Sequence, residues 1–152
     1  MQPNILFILI DGLRADQCFG ADKTADTTFL DSLITSGAYF KNTFSSADGT
    51  MISLNCILNS KSQFQTGIRA QKIILLEDNH LQKLKNSGYY IAGLVPKLTS
   101  LKPITGYFQN ENNTYDPGPP PETLSMGITE KNFIIVKLTK KIISVVLLST
   151  FI

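Results

Sequence analysis

Residues 5–12 read Ile5-Leu6-Phe7-Ile8-Leu9-Ile10-Asp11-Gly12, and this stretch decides the fold class. A continuous apolar run bounded by polar turn residues is the pattern of a strand buried on both faces, as in a parallel sheet. Tyr89–Val95, stopped by Pro96, repeats it, and Phe133-Ile134-Ile135-Val136 is the next candidate. Between the first two runs the periodicity changes. Phe29, Leu30, Leu33 and Ile34 predict a helix over Thr28–Ser36, with Gly37 as its stop. Tyr39–Phe44 alternates and reads as a short strand. After the small polar loop Ser45–Gly49, the residues Met51, Ile52, Leu54, Ile57 and Leu58 fit one helix face. Ile73-Ile74-Leu75-Leu76 is ambiguous. Leu81–Lys85 reads as a helix closed by Asn86-Ser87-Gly88. Gln109–Pro121 reads as loop and Glu122–Lys131 as a further helix. This order predicts an α/β domain, a mainly parallel sheet flanked by helices.

Composition narrows the function classes. The 152 residues suffice for one domain with a core, and a net charge of +2 without a basic stripe excludes a nucleic-acid partner. Cys18 and Cys56 lie outside any CxxC pair. They read as reduced, buried thiols, and with no basic segment ahead of Ile5–Ile10 the expected location is cytoplasmic. The uncharged stretch after Lys141 spans 11 residues, whereas a bilayer takes about 20, so a membrane tether is disfavoured. That apolar tail, 137–152, reads as a last core strand or helix, or as non-native sequence from a shifted reading frame. The second is the preferred expectation, because such uncapped apolar ends invite aggregation.

Two residues are placed for chemistry. Asp11 falls where the first strand ends, and ligands of parallel sheets gather at carboxyl ends of strands. A carboxylate there is either a cation ligand or a turn residue. Thr50 falls at a helix start, where free N–H groups and the dipole favour anions. By spacing alone it reads first as an N-cap threonine. As a nucleophile it would need activation, which a metal at Asp11 could supply. There is no Walker A sequence, no G-x-G-x-x-G and no G-x-S-x-G elbow. The single histidine, His80, reads as a helix-start residue and cannot by itself make a zinc centre.

Pro3–Asp16, with Asp11-Gly12-Leu13-Arg14-Ala15-Asp16, resembles the opening of the sulfatase family in the alkaline phosphatase superfamily. Thr28–Leu33, Ser36–Asn42, Ser45–Ser60 and Leu81–Tyr89 resemble that family's following blocks, in the same order. The resemblance implies an alkaline-phosphatase-like α/β fold over 1–136 and a hydrolase or transferase of sulfate or phosphate esters. It implies Asp11 as ligand of a divalent metal ion (Ca, Mg, Mn or Zn) and Thr50 at the nucleophile position, with a small anionic ester as substrate. The sequence departs from the pattern at three places. Gly12 replaces the second metal-binding Asp, and Thr50 replaces the Cys or Ser that sulfatases convert to formylglycine. The family's active-site Arg and Pro are lost in Thr50-Met51-Ile52-Ser53-Leu54. Superfamily phosphatases and phosphotransferases use Thr directly. Lys97 lies one residue from a family lysine. The later Asp and His ligands have no candidates, so the expectation is a truncated enzyme, inactive alone. The rival is a non-catalytic α/β anion-binding module.

Overall fold

The computed structural model describes residues 3–69, 71–116 and, for the backbone, 142–149. The apolar run forms strand β1, Ile5–Asp11, and Gly12 ends it with φ 74°, a left-handed conformation that costs a residue without a Cβ little. A short helix α1, Ala15–Cys18, follows, and then α2, Thr28–Ser36, over the range its periodicity predicts. Asp26 accepts from the backbone N–H and the hydroxyl of Thr28, which starts α2, and Lys23 pairs with Asp31 on its first turn. Helix α3 spans Thr50–Asn59, α4 Gln63–Thr66 with a Ser62/Gln65 capping box, and α5 His80–Asn86 with Asn79 as its cap. Strand β2, Tyr90–Pro96, leads through a 3₁₀ turn at Thr99–Leu101 into α6, Lys102–Thr105. Two short pieces complete the list, β3 at Thr114–Tyr115 and β4 at Ile142–Ser149.

The sheet order is β1-β4-β2-β3, and every described pairing is parallel, as expected of an α/β domain. Ile142–Ser149 therefore runs as a strand between β1 and β2, with Ile5 opposite Ile143 and Tyr90 opposite Ile142. The predicted helix Glu122–Lys131 and strand Phe133–Val136 lie outside the described residues, as does the end of the Gln109–Pro121 segment.

The core lies between α3, α5, α6 and β2. It contains Leu54, Leu58, Ile73, Leu81, Ile91, Val95, Leu101, Ile104 and Phe108, with Phe7 and Leu9 of β1 packed against it. β1 is not buried on both faces as its sequence predicts. Leu6 and Ile8 are 64% and 46% exposed, because β1 turns Phe7 and Leu9 to the core and the alternate residues point to the opposite face. Tyr39–Phe44 is not a strand either. Phe40 and Phe44 are exposed, and alternation without a paired neighbour does not make a strand. Ile57, expected on the buried helix face, is also exposed.

Two amide devices replace ladder pairing. Asn55 and Asn59, one turn apart on α3, are buried. Asn55 donates to Lys72 O and accepts from Ile74 N, at 2.9 and 2.7 Å. Asn59 donates to Ile74 O and accepts from Leu76 N, both at 2.9 Å. The ambiguous Ile73–Leu76 segment is thus extended chain bonded to a helix face. On the outer edge of β2, Asn110 accepts from Gly93 N and donates to Gly93 O, while Gln109 exchanges bonds with Ile91. The predicted loop begins as an edge cover.

Candidate functional site

All four strands run the same way, so their carboxyl ends form one rim. Asp11 is the last residue of β1 and stands level with Ser149 of β4. Leu94 of β2 is opposite Val146, and Lys97 follows Pro96, the last residue of β2. Asp11 and Lys97 thus share one rim, separated by the β4 strand.

The loop Ser45–Gly49 reaches that rim in a pinned form. Ser45 Oγ lies 2.8 Å from Ser53 Oγ and donates to Ala47 O at 2.6 Å. Ser53 Oγ donates to the same carbonyl at 3.0 Å, and Ser53 N donates to Gly49 O. A hydroxyl on the first turn of α3 therefore locks the loop that feeds the helix. Gly49 is the N-cap, in extended conformation, and among the described residues no side chain caps the first-turn N–H groups of α3. An uncapped N-terminus keeps its donors and the positive end of its dipole for another acceptor.

Thr50 is the first helical residue and not the cap, so its reading as an N-cap threonine is corrected. Its Oγ1 donates to Asp11 Oδ1 at 3.3 Å, a long hydroxyl bond that orients without gripping. Around the pair lies a pocket of about 350 Å³, lined by β1 from Leu9 to Asp11, by the loop with Asp48, and by Thr50, Ser53 and Leu54. Asp11 and Asp48 are the charged residues among the described residues of this lining. Asp48 was not singled out from the sequence. Its signal was its place two residues before Thr50, in a loop whose serines read only as polar turn residues.

Arg14 and Asp16, part of the opening motif, pair with each other at 2.5 Å on the surface. The bond from Arg14 holds the Asp16 carboxyl below the usual range and raises the Arg14 guanidinium. His80 begins α5, exposed, as its sequence position predicts. Cys18 and Cys56 are both buried.

A divalent metal needs more than this pocket holds. Among the described residues no group of three or more His, Cys, Asp or Glu can hold a metal ion. Hard cations take six or more oxygens, so Asp11 and Asp48 with nearby hydroxyls fall short of a complete centre. No helix among the described residues is long and apolar enough to cross a membrane.

The family model for sulfatases covers residues 3–123, from ahead of β1 to beyond β3. No curated protein and no solved structure matches.

Proposed function

The chain belongs to the sulfatase family, and from that premise we propose that it forms part of a metal-dependent hydrolase or transferase of sulfate or phosphate esters, with an alkaline-phosphatase-like fold. Thr50 is its nucleophile and Asp11 one ligand of its metal, the remaining ligands coming from groups other than the described residues. The observation that carries this reading is the hydrogen bond from Thr50 to Asp11 at the uncapped start of α3, facing one pocket. When bound, the metal would supply Lewis-acid stabilisation of charge.

The chain's own residues do the rest. The Thr50 oxygen forms a bond to phosphorus or sulfur as the bond to the leaving ester oxygen breaks. The hydroxyl proton leaves along its bond to Asp11. The first-turn N–H groups of α3 receive the non-bridging oxygens, as an oxyanion hole does. Threonine cannot become formylglycine, so the hydroxyl itself must attack, which favours phosphate chemistry. Lys97, at the same rim, is placed to attract an anion.

The rival, a non-catalytic anion-binding module, is favoured by the α3 terminus, whose first-turn N–H groups have no side-chain cap among the described residues. Orthovanadate separates the two, because it takes an alkoxide as a fifth ligand and sulfate does not. A nucleophilic Thr50 gives vanadate binding that Thr50→Val abolishes. If vanadate and sulfate bind alike and both survive Thr50→Val, the nucleophile reading is lost and the module stands.

A further inference from the structure

The chain enters α3 through a triangle of contacts. Ser53 Oγ donates to Ala47 O at 3.0 Å and lies 2.8 Å from Ser45 Oγ, which donates to the same carbonyl at 2.6 Å. Each hydroxyl has one proton to give, so the three contacts share what Ser45 and Ser53 supply. The two contacts of Ser53 cross from helix to loop, and the third stays inside the loop. Among the described residues these two are the side-chain hydrogen bonds that join residues 45–48 to α3. They run from the fourth helical residue back to a residue ahead of the Gly49 cap. A contact with that span fixes the angle at which the chain enters a helix, as an apolar staple does in other helices.

We propose that Ser53 is a positioning residue that sets the Thr50 oxygen for attack. The assignment rests on the reading of Thr50 as the nucleophile and adds the group that holds it in line. Thr50 is the first helical residue, where a helix frays, and the bond it makes to Asp11 is long at 3.3 Å. A shift of the first turn by a few tenths of an ångström would end that bond. Ser53 lies three residues on, on the same face, and lines the same pocket. Bond formation at a tetrahedral centre needs an aligned oxygen, and a misplacement of about 1 Å costs on the order of 100-fold. Hydrogen bonds from the α3 N–H groups to an anion tolerate a broader range of geometry. Loosening the entry therefore harms attack by Thr50 more than it harms anion binding. The two serines are unequal in this. Without Ser53 the remaining contact lies within the loop, whereas without Ser45 the bond from Ser53 to Ala47 still ties loop to helix.

The test uses the full chain, with orthovanadate and sulfate as probes. Vanadate takes the Thr50 alkoxide as a fifth ligand, and sulfate is held by hydrogen bonds alone. In Ser53→Ala the dissociation constant for vanadate is expected to rise about tenfold or more, and that for sulfate to stay within about twofold. Ser53→Thr keeps the hydroxyl and restores vanadate binding. Ser45→Ala weakens vanadate less than Ser53→Ala does. The higher helix propensity of alanine offsets the lost bonds, so the urea midpoint of Ser53→Ala stays close to that of the wild type. Vanadate binding unchanged in Ser53→Ala, an equal loss for vanadate and sulfate, or no rescue by Ser53→Thr overturns the assignment while Thr50 keeps its role. If the wild type does not bind vanadate, or the binding survives Thr50→Val, the nucleophile reading fails and the assignment with it.

Discussion

The hydroxyl of Thr50 meets the carboxylate of Asp11 at 3.3 Å, although 39 residues of chain separate them. The strand brings one to the rim of the sheet and the helix brings the other. Neither is placed by local sequence alone. The contact gives Thr50 an orientation that solvent cannot, and its removal should be read in binding. Thr50→Ala is expected to weaken sulfate or phosphate binding about tenfold, since a hydrogen bond to a charged group contributes about 1.5–3 kcal/mol. Thr50→Ser should retain it. Calorimetry on both variants checks the pair, and equal loss in Ser and Ala would count against a role for the hydroxyl.

The acidic set of the pocket also sets an expectation for metals. Two carboxylates give the described residues no complete centre. Titration of the chain with Ca²⁺, Mg²⁺, Mn²⁺ or Zn²⁺ should show dissociation constants of about millimolar or weaker, the range of sparse oxygen sites. Aryl phosphate and aryl sulfate should not be turned over measurably. Robust metal-dependent cleavage abolished by Thr50→Ala would show that the chain completes its own centre.

The asparagines of α3 tie the site helix to the core. Asn55 and Asn59 each satisfy a backbone donor and a backbone acceptor of residues 72–76, away from water. Truncating either leaves buried groups unpaired, at about 1–3 kcal/mol each. Asn55→Ala and Asn59→Ala are each expected to destabilise the protein by roughly 2–4 kcal/mol. Urea unfolding with an unchanged m-value measures this. A cost below about 0.5 kcal/mol would mean that water replaces the amides.

The same asparagines mark the limit of what the sequence discloses. The apolar runs of β1 and β2, the period of α2 and the Leu81–Lys85 helix closed by Asn86-Ser87-Gly88 were readable, because each rests on local pattern. So was the pairing of rim and helix start through Asp11 and Thr50, once the family's blocks were seen in order. Asn55 and Asn59 were not readable, since an asparagine on a helix carries no sign of which backbone it will meet. The exposure of Leu6 and Ile8 was hidden for a related reason. An apolar run states that a strand is preferred, and its neighbours decide which face is covered. Asp48 was missed because its importance comes from lining a pocket, which no spacing rule encodes.

Three surface carboxylates among the described residues are held below their usual range. Asp16 is held below the usual range by its bond from Arg14, Asp26 by the Thr28 hydroxyl, and Asp78 by Lys61. A depressed native pKa means that the folded state sheds its proton earlier than the unfolded state. The resulting stabilisation is present above the unfolded carboxyl range and is lost as pH falls through the native values. Carbon-detected carboxyl titration should show all three midpoints below those of model peptides. Added salt should raise those of Asp16 and Asp78, which face cations, and leave Asp26 nearly unmoved, since a neutral hydroxyl sets it. Three midpoints at model values would remove this account.

The fit of Gly93 against Phe108 is the tightest point behind the rim. Gly93 sits inside β2, and a Cβ built there would overlap Cε2, Cδ2 and Cζ of the buried Phe108 ring. The ring in turn is held by its neighbours, because Gln109 and Asn110 bond the backbone of Ile91 and Gly93. It cannot step back without breaking that edge cover. Gly93→Ala should therefore cost about 1–3 kcal/mol or more through overpacking, against the small gain an alanine normally brings to a strand. Phe108→Ala alone should cost about 3–5 kcal/mol by leaving a cavity. Combined, the two should cost clearly less than their sum, because the alanine methyl enters space the ring has vacated. Additive costs in this double-mutant cycle would place the strain elsewhere, and a neutral Gly93→Ala would show that β2 shifts to make room.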